Sequence, residues 1–148
     1  MSDTLMDIMP LASRGYCCSQ ILVILALEAQ GLEDPAAVRA ASGLCNGLGK
    51  SGACCGILTG GCCALGLYLG KGADTETTAD RADLLYSEFV EWFRSRVVPD
   101  YGDVTCDAIL KGGPPNVSLC GNLLAEAWER ILTLLAENEI DPSVPREA

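Results

Sequence analysis

The chain has 148 residues, a formal charge of −10 and a sequence pI near 4.3, with 49% hydrophobic and 20% charged residues. That balance excludes a disordered chain, allows one domain with a real core, and offers nucleic acid no basic stripe. Nine cysteines stand beside no histidine, which excludes every histidine-based hydrolase and points to sulfur chemistry, either thiol redox or thiolate ligation of a soft metal centre.

The hydrophobic periodicity is helical nearly throughout. A short amphipathic helix is predicted over about residues 3–13, with Leu5, Ile8 and Ala12 on one side and Pro10 bending or ending it. A second helix runs from about Tyr16 to Gln30 and stops at Gly31, and Pro35 opens a short helix to about Ser42. Gly43–Gly52 reads as a glycine-rich loop, followed by an uncharged helix over about Ala53–Leu69. Asp74 or Thr75 caps a long helix to about Val97, with Ala82, Leu85, Phe89, Trp92 and Arg96 at helical spacing and Pro99 as terminator. An irregular link with one turn around Thr105–Leu110 leads to a last helix, capped by Ser118 and spanning about Leu119–Glu137. Its face is Cys120, Leu124, Ala127, Ile131 and Leu134. The prediction is an all-α, single-domain bundle of about five to six helices with a central Gly/Cys-rich helix. Residues 1–138 form the domain and 139–148 a flexible tail.

From Ala53 to Gly70 the chain runs 18 residues without a charge, the length of a transmembrane candidate. Its glycines, Thr59 and the lack of flanking basic clusters favour a buried central helix over a membrane span. A secreted disulfide framework fits poorly. The start, MSDTLMDIMPLASRG, has acidic residues and a proline where a signal peptide is basic and then apolar, and nine cysteines is an odd number. Six of them form the adjacent pairs Cys17-Cys18, Cys54-Cys55 and Cys62-Cys63. Neighbouring Cα atoms lie about 3.8 Å apart, below the usual disulfide span, so these neighbours pair badly with each other. The expected compartment is the cytoplasm.

On this map Cys18, Cys55, Cys106 and Cys120 each fall in the first turn of a helical segment, where orphan N–H groups and the helix dipole favour a thiolate. Cysteine also serves as a small core hydrophobe, and for any one of these positions that is the commoner role. Ordinary core use does not, however, concentrate cysteines at helix starts. Four thiolates converging under apolar cover suit an iron–sulfur cluster. Cys55 and Cys62 are two turns, roughly 10 Å, apart along one helix and do not share a single ion easily. Cys45, in the loop, is free to swing toward either. Gly56 and Gly60 form a small-x-x-x-small face suited to a cofactor, a partner helix or tight packing within the chain.

Neither CxxC nor ferredoxin spacing occurs, so thioredoxin-type and zinc-ribbon sites lack support. Gly43–Ser51 looks only faintly like a phosphate loop, and a helix rather than a strand precedes it. Over about Tyr16–Leu135 the chain resembles the redox family named for its C-GCAxxG-C-C cysteine signature. The carriers are Cys18-Ser19-Gln20 before an apolar helix, the glycine loop before CGILTGGCCALGLYLG, and two later single cysteines. In the central motif Cys55, Gly56 and Gly60 match, while Ile57 stands where alanine is usual. The resemblance maps the family's four cysteines onto Cys18, Cys55, Cys106 and Cys120. It leaves Cys17, Cys45, Cys54, Cys62 and Cys63 as additions and secondary cofactor candidates. Related domains occur fused to multihaem cytochromes with an iron–sulfur centre; this chain has no CxxCH of its own.

The leading expectation is therefore an iron–sulfur redox protein for electron transfer or cluster carriage, with Cys18, Cys55, Cys106 and Cys120 as metal ligands. An alternative is a metal-free thiol oxidoreductase or sulfur relay in which Cys55 attacks and another cysteine resolves. A third is a zinc-stabilised or structural helical module. The acidity predicts a redox partner with a basic face. The glycine face and the cysteine-rich surface also suggest a homodimer.

Overall fold

A computed structural model describes residues 3–146. In it the helical periodicity becomes α1 (Asp3–Ser13), α2 (Cys18–Ala29), α3 (Pro35–Ala41), α4 (Gly56–Leu69), α5 (Ala82–Tyr101), α6 (Cys106–Leu110) and α7 (Val117–Glu137), with a 3-10 turn at Ser42–Leu44. The protein is an all-α bundle. Its helices number seven among the described residues because the short segments α3 and α6 each close a turn of their own.

The centre is the pair α2 and α4, both apolar on nearly every side and so buried on nearly every side. Glycines set their approach. A methyl group at Gly60 would lie 2.5 Å from the Cα of Ser19, and one at Gly56 would lie 3.3 Å from the carbonyl oxygen of Leu44. Gly61 leaves room for the Phe89 ring. The small-residue face is thus used for packing inside the chain, which removes one of the two grounds for a homodimer.

Around this pair, α5 buries Leu85, Phe89, Phe93 and Val97 at a strict spacing of four, while Trp92 is half-buried and stacks on Phe89. The amphipathic α7 buries Leu123, Leu124, Ala127, Ile131, Leu134 and Leu135, and α1 packs along it. Arg96 at the edge of α5 forms a two-pronged ion pair with Glu126 of α7, both N···O distances 3.0 Å.

Several boundaries depart from expectation. α5 begins at Ala82 rather than near Asp74, because the preceding segment folds back on the end of α4, with Ala79 N–H donating to Leu69 O at 2.9 Å. It also runs through Pro99, whose missing N–H costs only one bond near the helix end, and closes at Gly102 in a left-handed turn (φ 89°). Likewise α1 continues past Pro10 to Ser13. The cap of α7 is Asn116, whose Oδ1 accepts from Leu119 N–H at 3.1 Å, two residues before Ser118.

Within the described residues the segment after α7 makes hydrogen bonds back to the bundle. Tyr68 Oη donates to Pro142 O at 3.0 Å, and Arg146 donates to Tyr68 O at 3.1 Å and to Thr77 O. Residues 147–148 of the expected tail lie outside the described residues. Among those described, no helix is long and apolar enough to cross a membrane.

Candidate functional site

The site is assembled by a short pairing that periodicity cannot reveal. Residues 52–55, leading into α4, run antiparallel to 104–107, leading into α6. Cys55 N–H donates to Val104 O at 3.0 Å, Cys106 N–H to Ala53 O at 2.7 Å and Asp107 N–H to Gly52 O at 3.1 Å. Cys55 and Cys106 fall on the same side of this ribbon. Thr105 starts α6 by accepting from Ala108 N–H at 3.1 Å, which leaves Cys106 as its first residue.

Close packing of α2 on α4 brings Cys18 over Gly56, where an added methyl carbon would sit 3.6 Å from the Cys18 Cβ. The Asn116 cap fixes the start of α7 so that Cys120, in its first turn, meets Cys18. All four thiols line one cavity of about 20 Å³, closed by Asn46 and by apolar residues including Leu123. That volume holds about one water molecule. The four cysteines singled out by helix position therefore converge.

Their protonation is unequal. Cys18 donates a hydrogen bond to Cys120, and that bond, outweighing burial, lowers the Cys120 thiol to about 7. The same bond, joined by burial, raises Cys18 well above the ordinary thiol range. Burial pushes Cys55 up to about 12, although the N–H groups of Ile57 and Leu58 pull it the other way. Burial, then the neighbouring Cys120, raises Cys106 as well. Helix-start stabilisation is thus present at Cys55 but loses to desolvation. Of the four thiols Cys120 is the one shifted downward, whereas Cys55, the nucleophile expected in the thiol-oxidoreductase alternative, is only 6% exposed and shifted upward, a depth that a chain map does not show.

A family model described as "Putative redox-active protein (C_GCAxxG_C_C)" matches residues 16–134. The chain belongs to this family. No curated protein and no solved structure matches it. The matched span contains all four convergent cysteines of this C_GCAxxG_C_C member.

The five further cysteines of this family member lie elsewhere. Cys17 and Cys45 are joined in a disulfide with Cα atoms 5.8 Å apart, so Cys45 does not swing freely between sites. Poor pairing of adjacent cysteines does not bear on this bond, whose partners stand 28 residues apart and are brought together only by the fold. The wholly buried Ser19 hydroxyl lies 3.2 Å from the Cys17 sulfur and 3.9 Å from that of Cys45, while donating to Ala41 O at 2.9 Å. Beyond Cys45, residues 46–50 all take left-handed backbone conformations, including the non-glycines Asn46, Leu48 and Lys50 (φ 52–63°). Such residues each store about 1 kcal/mol or more. Cys54, Cys62 and Cys63 form a looser group outside the cavity; burial, then the neighbouring Cys63 and Cys54, raises Cys62 to about 11.

As a donor set, the four cavity thiols suit an iron–sulfur cluster. They are soft ligands under apolar cover, with the Ile57 and Leu58 N–H groups directed at the Cys55 sulfur. Among the described residues no group of three or more Cys, Asp or Glu side chains is arranged to hold a single metal ion. The thiols are instead closed on one another around the small cavity.

Proposed function

We propose that the protein is a redox carrier whose centre is the pocket of Cys18, Cys55, Cys106 and Cys120, and that these four residues hold an iron–sulfur cluster. The observation that carries this reading is the convergence of four thiols from four separate helix starts on one apolar cavity. When bound, the cluster would supply one-electron exchange at a potential tuned by burial and hydrogen bonding. The chain's own contribution is defined by its geometry. Ile57 and Leu58 direct N–H groups at the Cys55 sulfur, and Leu123 and Ile109 exclude water. Cys120 is the first of the four to lose its proton. The charge of −10 suits docking to a partner with a basic face.

Protein purified and reconstituted without air should contain iron and sulfide and absorb broadly near roughly 400 nm, bleaching on reduction. Cys55→Ser and Cys120→Ser should each lose the colour, whereas Cys63→Ser should keep it. An iron-free, colourless product after reconstitution would count decisively against the cluster.

One observation favours a second reading. The hydrogen-bonded pair Cys18 and Cys120, with Cys120 lowered to about 7, has the form of a nucleophile beside its resolving thiol. In that reading Cys120 attacks a disulfide substrate and Cys18 releases it by forming Cys18–Cys120. Mass spectrometry after mild oxidation of metal-free protein would show that linkage.

A further inference from the structure

We infer that the Cys17–Cys45 disulfide is a second, independent redox couple that exchanges with small thiols and latches the glycine-rich loop over the four-thiol pocket. Two cavities meet at this loop. The inner one, of about 20 Å³, holds the four thiols. The outer one, of about 230 Å³ and mostly apolar, lies between α1, α2 and α7 and touches Cys17, Cys18 and Cys120. Asn46, Cys18 and Cys120 line both. These three therefore form the wall between them, and Asn46 is the one next to Cys45.

The disulfide fixes that wall. Cys17 immediately precedes α2, whose position is set by its packing on α4, so the bond anchors the loop to a rigid element. Ser19, wholly buried against both sulfurs and tied to Ala41 O, holds the bond in register with the end of α3. On the other side, the left-handed run 46–50 is coiled tightly by Gly49 N–H donating to Gly43 O at 2.8 Å and Lys50 N–H to Cys45 O at 2.9 Å. A strained segment pinned at one end by a breakable bond relaxes when that bond opens. Both cysteines are only half-buried residues, so the bond is not sealed in the core from an external thiol.

The exchange is a two-electron step. A thiolate from a low-molecular-weight thiol attacks one sulfur and forms a mixed disulfide, releasing the other as a thiolate. A second molecule of the thiol then displaces the first. Two R–SH become one R–S–S–R, and Cys17 and Cys45 take up the two electrons and two protons. With Cys45 released, Asn46 keeps only its main-chain tie to the ribbon, Gly52 N–H donating to Asn46 O at 3.2 Å, and its side chain can turn aside so that the two cavities join. What the latch guards rests on the four-thiol centre proposed above; the exchange itself does not.

The test uses the full-length chain in glutathione buffers of graded redox poise, read by mass spectrometry of the alkylated peptides. Cys17–Cys45 should open under millimolar glutathione while circular dichroism stays native. On opening, N-ethylmaleimide should label Cys120 about tenfold faster, as expected when a local closure is lost, with Cys63 as the unchanged internal reference. Asn46→Ala, which leaves the disulfide intact, should accelerate Cys120 labelling even in oxidised protein. If a cluster is present, its loss to a chelator should accelerate in parallel; if none forms, the labelling rates still decide. A bond that resists glutathione until the whole chain unfolds would make it a structural cross-link. Opening without any change in Cys120 labelling would remove the latch.

Discussion

At the scale of single residues, the unequal protonation of the four thiols has direct consequences. Cys120 is lowered chiefly by the hydrogen bond from Cys18, so Cys18→Ala should move the alkylation midpoint of Cys120 upward from about 7, toward the ordinary thiol range. A pH series of alkylation rates in metal-free protein reads this directly; an unmoved midpoint would transfer the effect to the Asn116 backbone. A thiol depressed from 9.0 to about 7 stabilises the folded protein fully above the higher value, and the gain is lost as pH falls through the lower one. This inequality was hidden from the sequence. Position at a helix start was legible for Cys18, Cys55, Cys106 and Cys120, but their mutual contacts and depths were not. At Cys55 depth outweighs the helix start.

At the scale of elements, the α2–α4 contact positions the site and is the most sensitive to side-chain size. Gly60→Ala would drive a methyl group into the Ser19 backbone, and overpacking of this kind costs about 1–3 kcal/mol. Urea unfolding should show that loss. Alkylation of Cys18 should rise with it, because the displaced helix carries that thiol. By contrast, the Arg96–Glu126 pair joins α5 to α7 with its side chains 33% and 41% exposed, so Arg96→Ala should cost no more than about 1 kcal/mol. Helix existence and most of the buried faces were readable from spacing. The start of α5 was not, because the fold-back of Ala79 onto Leu69 is a tertiary contact that overrides local capping. The ribbon joining 52–55 to 104–107 was equally invisible: its hydrogen bonds are main-chain ones, which leave no side-chain pattern.

For the molecule as a whole, burial of thiols sets an alkaline limit. Cys55 rises from 9.0 to about 12 and Cys62 to about 11, both chiefly through burial. A raised thiol contributes its stability fully below the unfolded value and loses it as pH climbs through the folded one. The metal-free protein should therefore weaken progressively between about pH 9 and 12, with thermal midpoints falling across that window. Cys120 cannot offset this, since its gain is already complete at the lower end. A flat alkaline profile would mean that these thiols are better solvated than their depth implies. The topology carries a further consequence for biogenesis. Cys18 and Cys120 lie 102 positions apart in the chain, and the fourth thiol arrives only with the last helix. A chain that has emerged only as far as α6 presents three of the four thiols, so the cavity closes only once α7 has docked.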